Sequence, residues 1–493
     1  MHLSKTLLTL SIAASLTTTL LAESAPKAAI KTNGQILYQQ QKSVDSFEAM
    51  FSGGDLFGRV RSNNFYFNYD ADIPNKEDNL VGALGASFVF RSALYEGFDF
   101  NIGLYGSQSF FDDSSLDDIS HLKPAKDTIS RYEYALTGSK SIFAFAQANI
   151  GYTYSKTKFV FGRQLVETFY TKSNDTKMIP NSFDGVVVTS KDIPQTKATL
   201  AYLVKQKLRD HKDNHSVLMY NDSDTANYST WTGNDDSAMH KGLSYTNLKA
   251  AGEDTDAPLI VLDAQNNSIK DLKINFSSYV VPSLLSQVMV EANYKLAFDG
   301  FSITPGVRYL QQFDNGAGAI GGAALTGKVN ATNPSGYDDP TSLDAKMVAA
   351  RVAAKFSDYK LTLAYTGILD EADLVTPWRG FPTAGYTRSM GAYNWRANTH
   401  SYRIELVKGA NKKGIYTKPF FQTSILYIDS DESKAIFEDS LVYYAGIVQN
   451  IPSLPSLQYR VRLGYRDFVG SKTNYSTSIS NYLDSRLEFN YIF

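Results

Sequence analysis

The sequence predicts an all-β protein: a transmembrane antiparallel β-barrel of eighteen strands, with short periplasmic turns and long extracellular loops. Three observations predict it. The chain ends on a strictly alternating strand, in which Leu487, Phe489, Tyr491 and Phe493 share one parity and Arg486, Glu488 and Asn490 the other. Such a strand has one face for lipid and one for a wet lumen, and its final aromatics suit a membrane interface. Connections between strand-like stretches alternate long and short along the chain. The chain also opens on what reads as an export signal.

At that start, His2 and Lys5 precede an apolar Leu/Ala/Ser/Thr run from Leu7 to Leu21. Leu20, Leu21 and Ala22 form a cleavage site that leaves Glu23 as the mature N-terminus. The run is short and Thr-rich for a membrane anchor, which needs ~20 apolar residues. The expected organisation is therefore a signal peptide over 1–22, a periplasmic lead-in over 23–55 and a barrel over 56–493. The lead-in does not alternate; Ser43 to Phe51 suits a short helix with Ser43 as cap and Gly53-Gly54 as stop.

The expected strands are 57–69, 80–91, 98–109, 143–154, 157–164, 184–190, 196–207, 259–263 and 272–278. They continue with 287–298, 301–313, 345–356, 359–367, 400–408, 416–429, 440–450, 457–468 and 482–493. Asp299-Gly300 is a hairpin signal between two of them. The long connections are 110–142, 165–183, 208–258, 314–344 and 370–399. One-sided loop length and an even strand count are what a barrel with both termini in the periplasm requires. The segment 208–257 is polar and reads as loop rather than domain, and the Gly/Ala stretch 314–327 reads as flexible loop.

Composition agrees. Of the aromatic 13%, 32 are Tyr and 29 Phe against 3 Trp, a bias that favours strands. Mean hydropathy is −0.25, which excludes a helical membrane protein but not a barrel, where every second residue faces water. A formal charge of −2 gives no bulk basic character for nucleic acid. Without cysteine there are no disulfides, zinc-thiolate sites or cysteine nucleophiles.

The chemistry-bearing pattern is basic and lies on the inward parity. Arg460, Arg462 and Arg466 alternate with Tyr459, Val461, Leu463 and Tyr465. Arg308, Arg351, Lys355, Arg403 and Arg486 occupy equivalent places on other strands. Charge on the lipid face costs several kcal/mol near the midplane, so these side chains are expected to point inward as a basic ladder that guides an anion. The plain alternative is a wet lumen with ordinary ion pairs, in which Glu291 and Glu488 neutralise some of the arginines.

Other signals are weak. Gly316 to Gly321 matches a dinucleotide fingerprint but has no strand-helix-strand context. Asp222, Asp224, Asp429 and Asp431 form Asp-x-Asp pairs that could meet Ca²⁺ but are ordinarily solvated loop. His211 and His215 are four apart in a polar loop, and the six histidines offer no metal spacing. No cofactor and no metal are expected.

Gly162-Arg163-Gln164, followed by Met178 to Gly185 (Met-Ile-Pro-Asn-Ser-Phe-Asp-Gly), resembles the corresponding stretch of the OprD-type outer-membrane porins. Val81 to Gly85 leading to Tyr95-Glu96-Gly97 is similar to that family's second hairpin, and Gly58-Arg59-Val60-Arg61 with Phe65-Tyr66-Phe67 to its first strand. The resemblance implies an outer-membrane, often trimeric, barrel for passive uptake of small hydrophilic, often carboxylate-bearing, solutes. It implies an inward-folded constriction loop, here Arg163, Glu167, Lys172, Asp175, Lys177 and Asp184, with Arg163 at its start and Asp184 at its end. Lys177 stands where the family often has arginine. Phe489, Tyr491 and Phe493 would be the closing-strand signal read by the barrel-assembly machinery.

Two other classes compete with a channel. A surface adhesin or structural barrel would rest on loop 208–257 and would have a plugged lumen. A barrel hydrolase would need Ser/His or Asp/His groups at the rim, where only His121 and His400 lie near strand ends without evident partners. A gated active transporter is disfavoured because the lead-in is too short for a folded plug domain.

Overall fold

The structure, a computed structural model, describes residues 28–32, 34–70, 78–112, 128–173, 175, 177–220, 235–334, 336–377, 385–392, 394–434, 439–469 and 480–493. The expected signal peptide, Asp222, Asp224 and His121 lie outside the described residues.

Before the wall come three short strands: β1 (Ala28–Ile30), β2 (Ile36–Tyr38) and β3 (Ser43–Val44). The wall begins with β4 (Asp55–Tyr69), β5 (Asn79–Arg91), the short β6 (Leu94–Tyr95), β7 (Phe98–Asp112), β8 (Ser141–Tyr154) and β9 (Thr157–Gln164). It continues with β10 (Ser182–Ser190), β11 (Thr196–Lys207), β12 (Leu259–Asn266), β13 (Leu272–Val281) and β14 (Leu285–Tyr294). Then come the short β15 (Leu296–Ala297), β16 (Phe301–Asp314), β17 (Ala345–Phe356) and β18 (Tyr359–Ile368). The last are β19 (Thr399–Lys408), β20 (Phe420–Asp429), β21 (Ser440–Ile451), β22 (Leu454–Phe468) and β23 (Tyr482–Ile492).

Leaving aside β3, β6 and β15, eighteen antiparallel strands close into a barrel, with β23 pairing back onto β4. Closure removes the sheet edges that lipid cannot satisfy. Phe493 adds a reciprocal pair of 2.9 Å backbone hydrogen bonds with Gly58, and its ring lies over Gly58, where a Cβ would come within 2.1 Å of it. The alternation expected of the strands is present. Phe143, Ile150 and Phe161 are 60–68% exposed on the outer face, while Arg59, Arg61 and Asn63 are buried on the inner face. No described helix is long and apolar enough to cross a membrane.

Several local expectations are corrected. The helix in the lead-in is Phe47–Ser52, capped by Ser46 rather than Ser43, because Ser43 and Val44 instead pair with Leu94 and Tyr95. The strand expected over 287–298 breaks at Lys295. Tyr294 and Lys295 would face Pro305 and Thr304, and Pro305 has no N–H to donate, so the ladder resumes only at Leu296. The long/short alternation fails twice: β13 and β14 are joined at the extracellular end by only residues 282–284, and because β20 starts at Phe420 rather than Tyr416 the periplasmic connection 409–419 is longer than the extracellular one over 430–439.

The loops expected to be flexible are packed. Leu208, Val217, Met219, Met239 and Leu248 from loop 208–258 and Ala324 and Leu325 from the Gly/Ala stretch join one apolar cluster with inward-facing Leu203, Val261 and Met289. Asp373 stitches them together: it accepts from Leu325 N at 3.0 Å, Ala397 N at 3.0 Å and Tyr337 Oη at 2.7 Å. The Gly/Ala stretch carries a short helix, Ala317–Gly321.

The lead-in also enters the barrel. β1 and β2 form an antiparallel hairpin whose Ala28 and Ile30 pack with inward-facing Phe57, Val89, Tyr105 and Ile492. Gln458 and Arg460 of β22 donate to the carbonyls of Ile30 (3.3 Å) and Lys31 (3.0 Å). The hairpin therefore lines the inside of the wall.

Candidate functional site

Loop 165–181, between β9 and β10, turns into the lumen. Two glycines make the turn possible: Gly162 at φ +110° and Gly185 at φ +158°, where an added Cβ would meet Ala148 O at 2.5 Å and Tyr202 O at 2.1 Å. The loop is held at both sides. Phe169 N donates to Asp263 of β12 at 3.1 Å. Asp175 reaches β4, where its carboxylate lies 2.7 Å from both Arg59 Nη2 and Arg61 Nη1, with all three side chains buried. Met178 and Ile179 pack beneath this contact against Ala83, Tyr105 and Ala144.

The six residues expected at the constriction divide into three groups. Asp175 and Lys177 face β4; the Lys177 ammonium lies 4.2 Å from the Phe65 ring centroid. Glu167 and Lys172 pair loosely at 3.7 Å, and Glu167 also accepts from Ser173 N at 2.8 Å. Arg163 and Asp184 are cross-strand neighbours joined at 2.8 and 2.9 Å, on the strand face they share with Phe161 and Val186. That is the outer face, so these two bracket the loop without entering the lumen, and the expectation for them is corrected. With β9 ending at Gln164, Arg163 also donates to the Phe145 carbonyl of β8 at 3.2 Å.

Most of the basic residues expected to form a ladder are engaged in ion pairs. Arg460 and Arg462 meet Glu488, the former at 3.7 Å. Arg486 contacts Asp484 at 2.5 Å. On the other wall Arg308 and Arg351 share Glu291, the latter at 3.6 Å, and Arg403 pairs with Glu405. Arg466 donates to Ser440 Oγ at 3.1 and 3.2 Å. Lys355 is exposed, one residue before the end of β17.

Register makes the first set continuous. Arg460 faces Glu488, which faces Asn63; Arg462 faces Arg486, which faces Phe65; Asn490 faces Arg61. Six cations (Arg59, Arg61, Lys177, Arg460, Arg462, Arg486) thus surround three carboxylates (Asp175, Asp484, Glu488), leaving a net positive band. The opposite cluster is smaller and aromatic: the Tyr386 ring lies 4.3 Å from Arg308 and 4.4 Å from Arg351, and Phe169 lies 4.9 Å from Arg308. Sequence reasoning missed Arg59 and Arg61 as lumenal cations: their alternation with Leu56, Val60 and Tyr66 carried the signal, but Phe57 and Phe65 on their own parity obscured it. It also missed Tyr386 and Phe169, which no periodicity marks.

The histidines are otherwise engaged. His211 Nδ1 and His215 Nε2 lie 2.8 Å apart, buried in loop 208–258. Burial pushes both down to about 3, against the pull of the nearby Asp235 carboxylate. His400 Nδ1 meets Tyr365 Oη at 2.8 Å. Asp431 is held by Lys434 at 3.2 Å and Asn398 at 2.8 Å.

The fold matches solved outer-membrane channels. OccAB1 of Acinetobacter baumannii superposes with a TM-score of 0.68 at 13% identity, over 90% of this chain and 98% of that one. OpdK of Pseudomonas aeruginosa, solved with vanillate, gives 0.64 at 11% over 89% and 98%. OccK2 (OpdF) of Pseudomonas aeruginosa, in complex with glucuronate, gives 0.63 at 10% over 90% and 99%. No curated protein matches the chain in sequence. A family model described as outer membrane porin, OprD family, matches residues 59–377. With that match, a closed eighteen-stranded barrel and a loop folded into its lumen, the chain belongs to the OprD family of outer membrane porins.

Proposed function

We propose that this porin passes small hydrophilic solutes by diffusion with a preference for carboxylate-bearing anions, and that the band on β22, β23 and β4 sets the preference. The observation that carries the reading is the excess of cations over carboxylates on that band, at the level where Asp175 pins the constriction loop. A permeating carboxylate exchanges part of its hydration shell for guanidinium N–H groups there, and charged rings in pores select in this way. Because Asp175 fastens the loop to β4 and Lys177 is buried beside Phe65, the guanidiniums of this band that stay partly open to the lumen are Arg462 and Arg486, each 14% exposed, and these are the ones a solute meets. Vanillate and glucuronate, seen with two of the similar porins, are both carboxylates. The reading is tested by reversal potential in a KCl gradient: an anion-selective sign is expected, and a cation-selective one overturns it.

The same proposal includes removal of residues 1–22 as an export signal, Phe489, Tyr491 and Phe493 as the strand read during assembly, and a homotrimer. The trimer is supported by the Arg163–Asp184 pair on an outer face otherwise rich in Phe143, Phe145 and Phe161, a place better suited to protein than to lipid. Cross-linking of the protein in outer membranes tests it; a monomer alone overturns it. We read the protein as non-catalytic, since His400 is engaged by Tyr365 and His211 and His215 by each other.

A further inference from the structure

Between the N-terminal hairpin and the constriction loop lies a cavity of about 230 Å³. One wall is Gln35, Ile36 and Tyr38 of the hairpin; the opposite side is Asn101, Gln147, Asn149 and Gln164 of the barrel, with loop residues above. It is smaller than the ~300–1,000 Å³ of drug-sized sites, which restricts it to a small solute.

The chemistry of this lining is unlike that of the basic band. Its charged groups are already engaged. Arg91 donates to Asn101 Oδ1 (3.3 Å), to the Gln39 carbonyl (3.1 Å) and to Gln41 Oε1 (3.1 Å). Asp175 is held by two arginines, and Glu167 by Ser173 and Lys172. What remains is a set of amides fixed by a relay: Arg91 to Asn101, Asn101 to Asn149 (2.9 Å), and Asn149 to the Arg163 carbonyl (2.7 Å). Asn101 gives its N–H groups to Asp99 (3.3 Å) and Asn149, and Gln164 gives its own to backbone carbonyls, but Asn149 gives one N–H to the Arg163 carbonyl and Gln147 one to Tyr105 Oη (3.0 Å), so these two carboxamides, with two N–H groups and two lone pairs each, keep both a donor and an acceptor. A hydroxyl is the partner that takes both at once.

We propose that this cavity is a second solute subsite, on the periplasmic side of the constriction, for a neutral hydroxyl-rich group of monosaccharide size or smaller, and that the hairpin forms one of its walls. The proposal rests on the porin assignment but not on anion preference. The Tyr38 ring seats the hairpin against Phe57 at 4.7 Å between centroids, and its hydroxyl faces Gln147 and Tyr105.

The test is single-channel conductance of the full mature protein in a planar bilayer, titrated with glucose, with sucrose as the viscosity control. Wild type is expected to lose conductance saturably with glucose beyond the viscosity effect. Tyr38→Phe and Gln35→Ala, which leave the barrel wall untouched, should raise the half-blocking concentration, by up to about tenfold for a lost hydrogen bond. Gln147→Leu on the opposite side should do the same. Equal block in wild type and all three variants, or no block beyond viscosity, overturns the subsite while stepwise openings still report a working porin. Absence of openings from folded protein would instead count against the channel itself.

Discussion

The carboxylate of Asp175 lies 2.7 Å from the guanidinium of Arg61, with both side chains 1% exposed and the two residues 114 positions apart in the chain. Asp175 also holds Arg59, so Asp175→Asn leaves two buried guanidiniums without their carboxylate. The expected cost is about 3–5 kcal/mol, the range for breaking a buried ion pair from one side. The constriction loop should loosen, seen as larger and noisier single-channel currents and a lower unfolding temperature. A variant as stable and as quiet as wild type would show that the loop is held elsewhere.

Glu488 is shared by Arg460 and Arg462 within the proposed anion-guiding band. Glu488→Gln keeps the shape and removes one negative charge. A unit charge about 7 Å from a passing ion is worth about 0.6 kcal/mol in water, with opposite sign for anion and cation, so the anion-to-cation permeability ratio should rise roughly sevenfold. Arg462→Ser should move it the other way. Reversal potentials in a KCl gradient measure both, and unchanged values would remove the band from the selectivity account.

Closure of the barrel depends on Gly58 being bare, since a Cβ there would come within 2.1 Å of the Phe493 ring. Gly58→Val is expected to cost on the order of 1–3 kcal/mol as overpacking at the seam. The folded, heat-modifiable band on a gel should become a smaller fraction of the protein and convert at lower temperature. Pairing Gly58→Val with Phe493→Ala should recover part of the loss, which a defect unrelated to the seam would not allow.

Loop 208–258 should loosen in acid. Burial lowers His211 and His215 from an ordinary 6.5 to about 3, so the packed loop holds them neutral. Between those values a loosened loop binds protons that the packed one does not, so packing stability is full above about pH 6.5 and is lost as pH falls toward 3. Hydrogen exchange across residues 208–220 and 235–258 should accelerate over that window while the barrel strands stay protected. His211→Gln with His215→Gln should flatten the response.

Much of the fold was legible in the parity of side chains. Alternation is a local property, and β17, β22 and β23 carry it over ten or more residues, so their inward arginines could be named without a structure. The partners of those arginines could not, because pairing depends on strand register: Glu488 faces Arg460 only once β22 and β23 are aligned. Arg163 and Asp184 were misassigned because the side a residue takes depends on where a strand ends and on the glycines beside it. The loop core escaped notice because Leu208, Val217, Met219 and Met239 are scattered through polar sequence without a period. The hairpin was invisible for a related reason: two strands of three residues are too short to alternate.

The placement of that hairpin bears on how such channels diversify. The barrel closes between Gly58 and Phe493, so the lumen lining contributed by Ala28–Tyr38 lies outside the circuit of strands that must pair for the wall to exist. Changes in this leading segment can reshape what leaves the pore without disturbing insertion, register or the surface seen from outside the cell. Exchanging the segment between related chains is then a way to alter cargo while the wall, and everything that recognises it, stays the same.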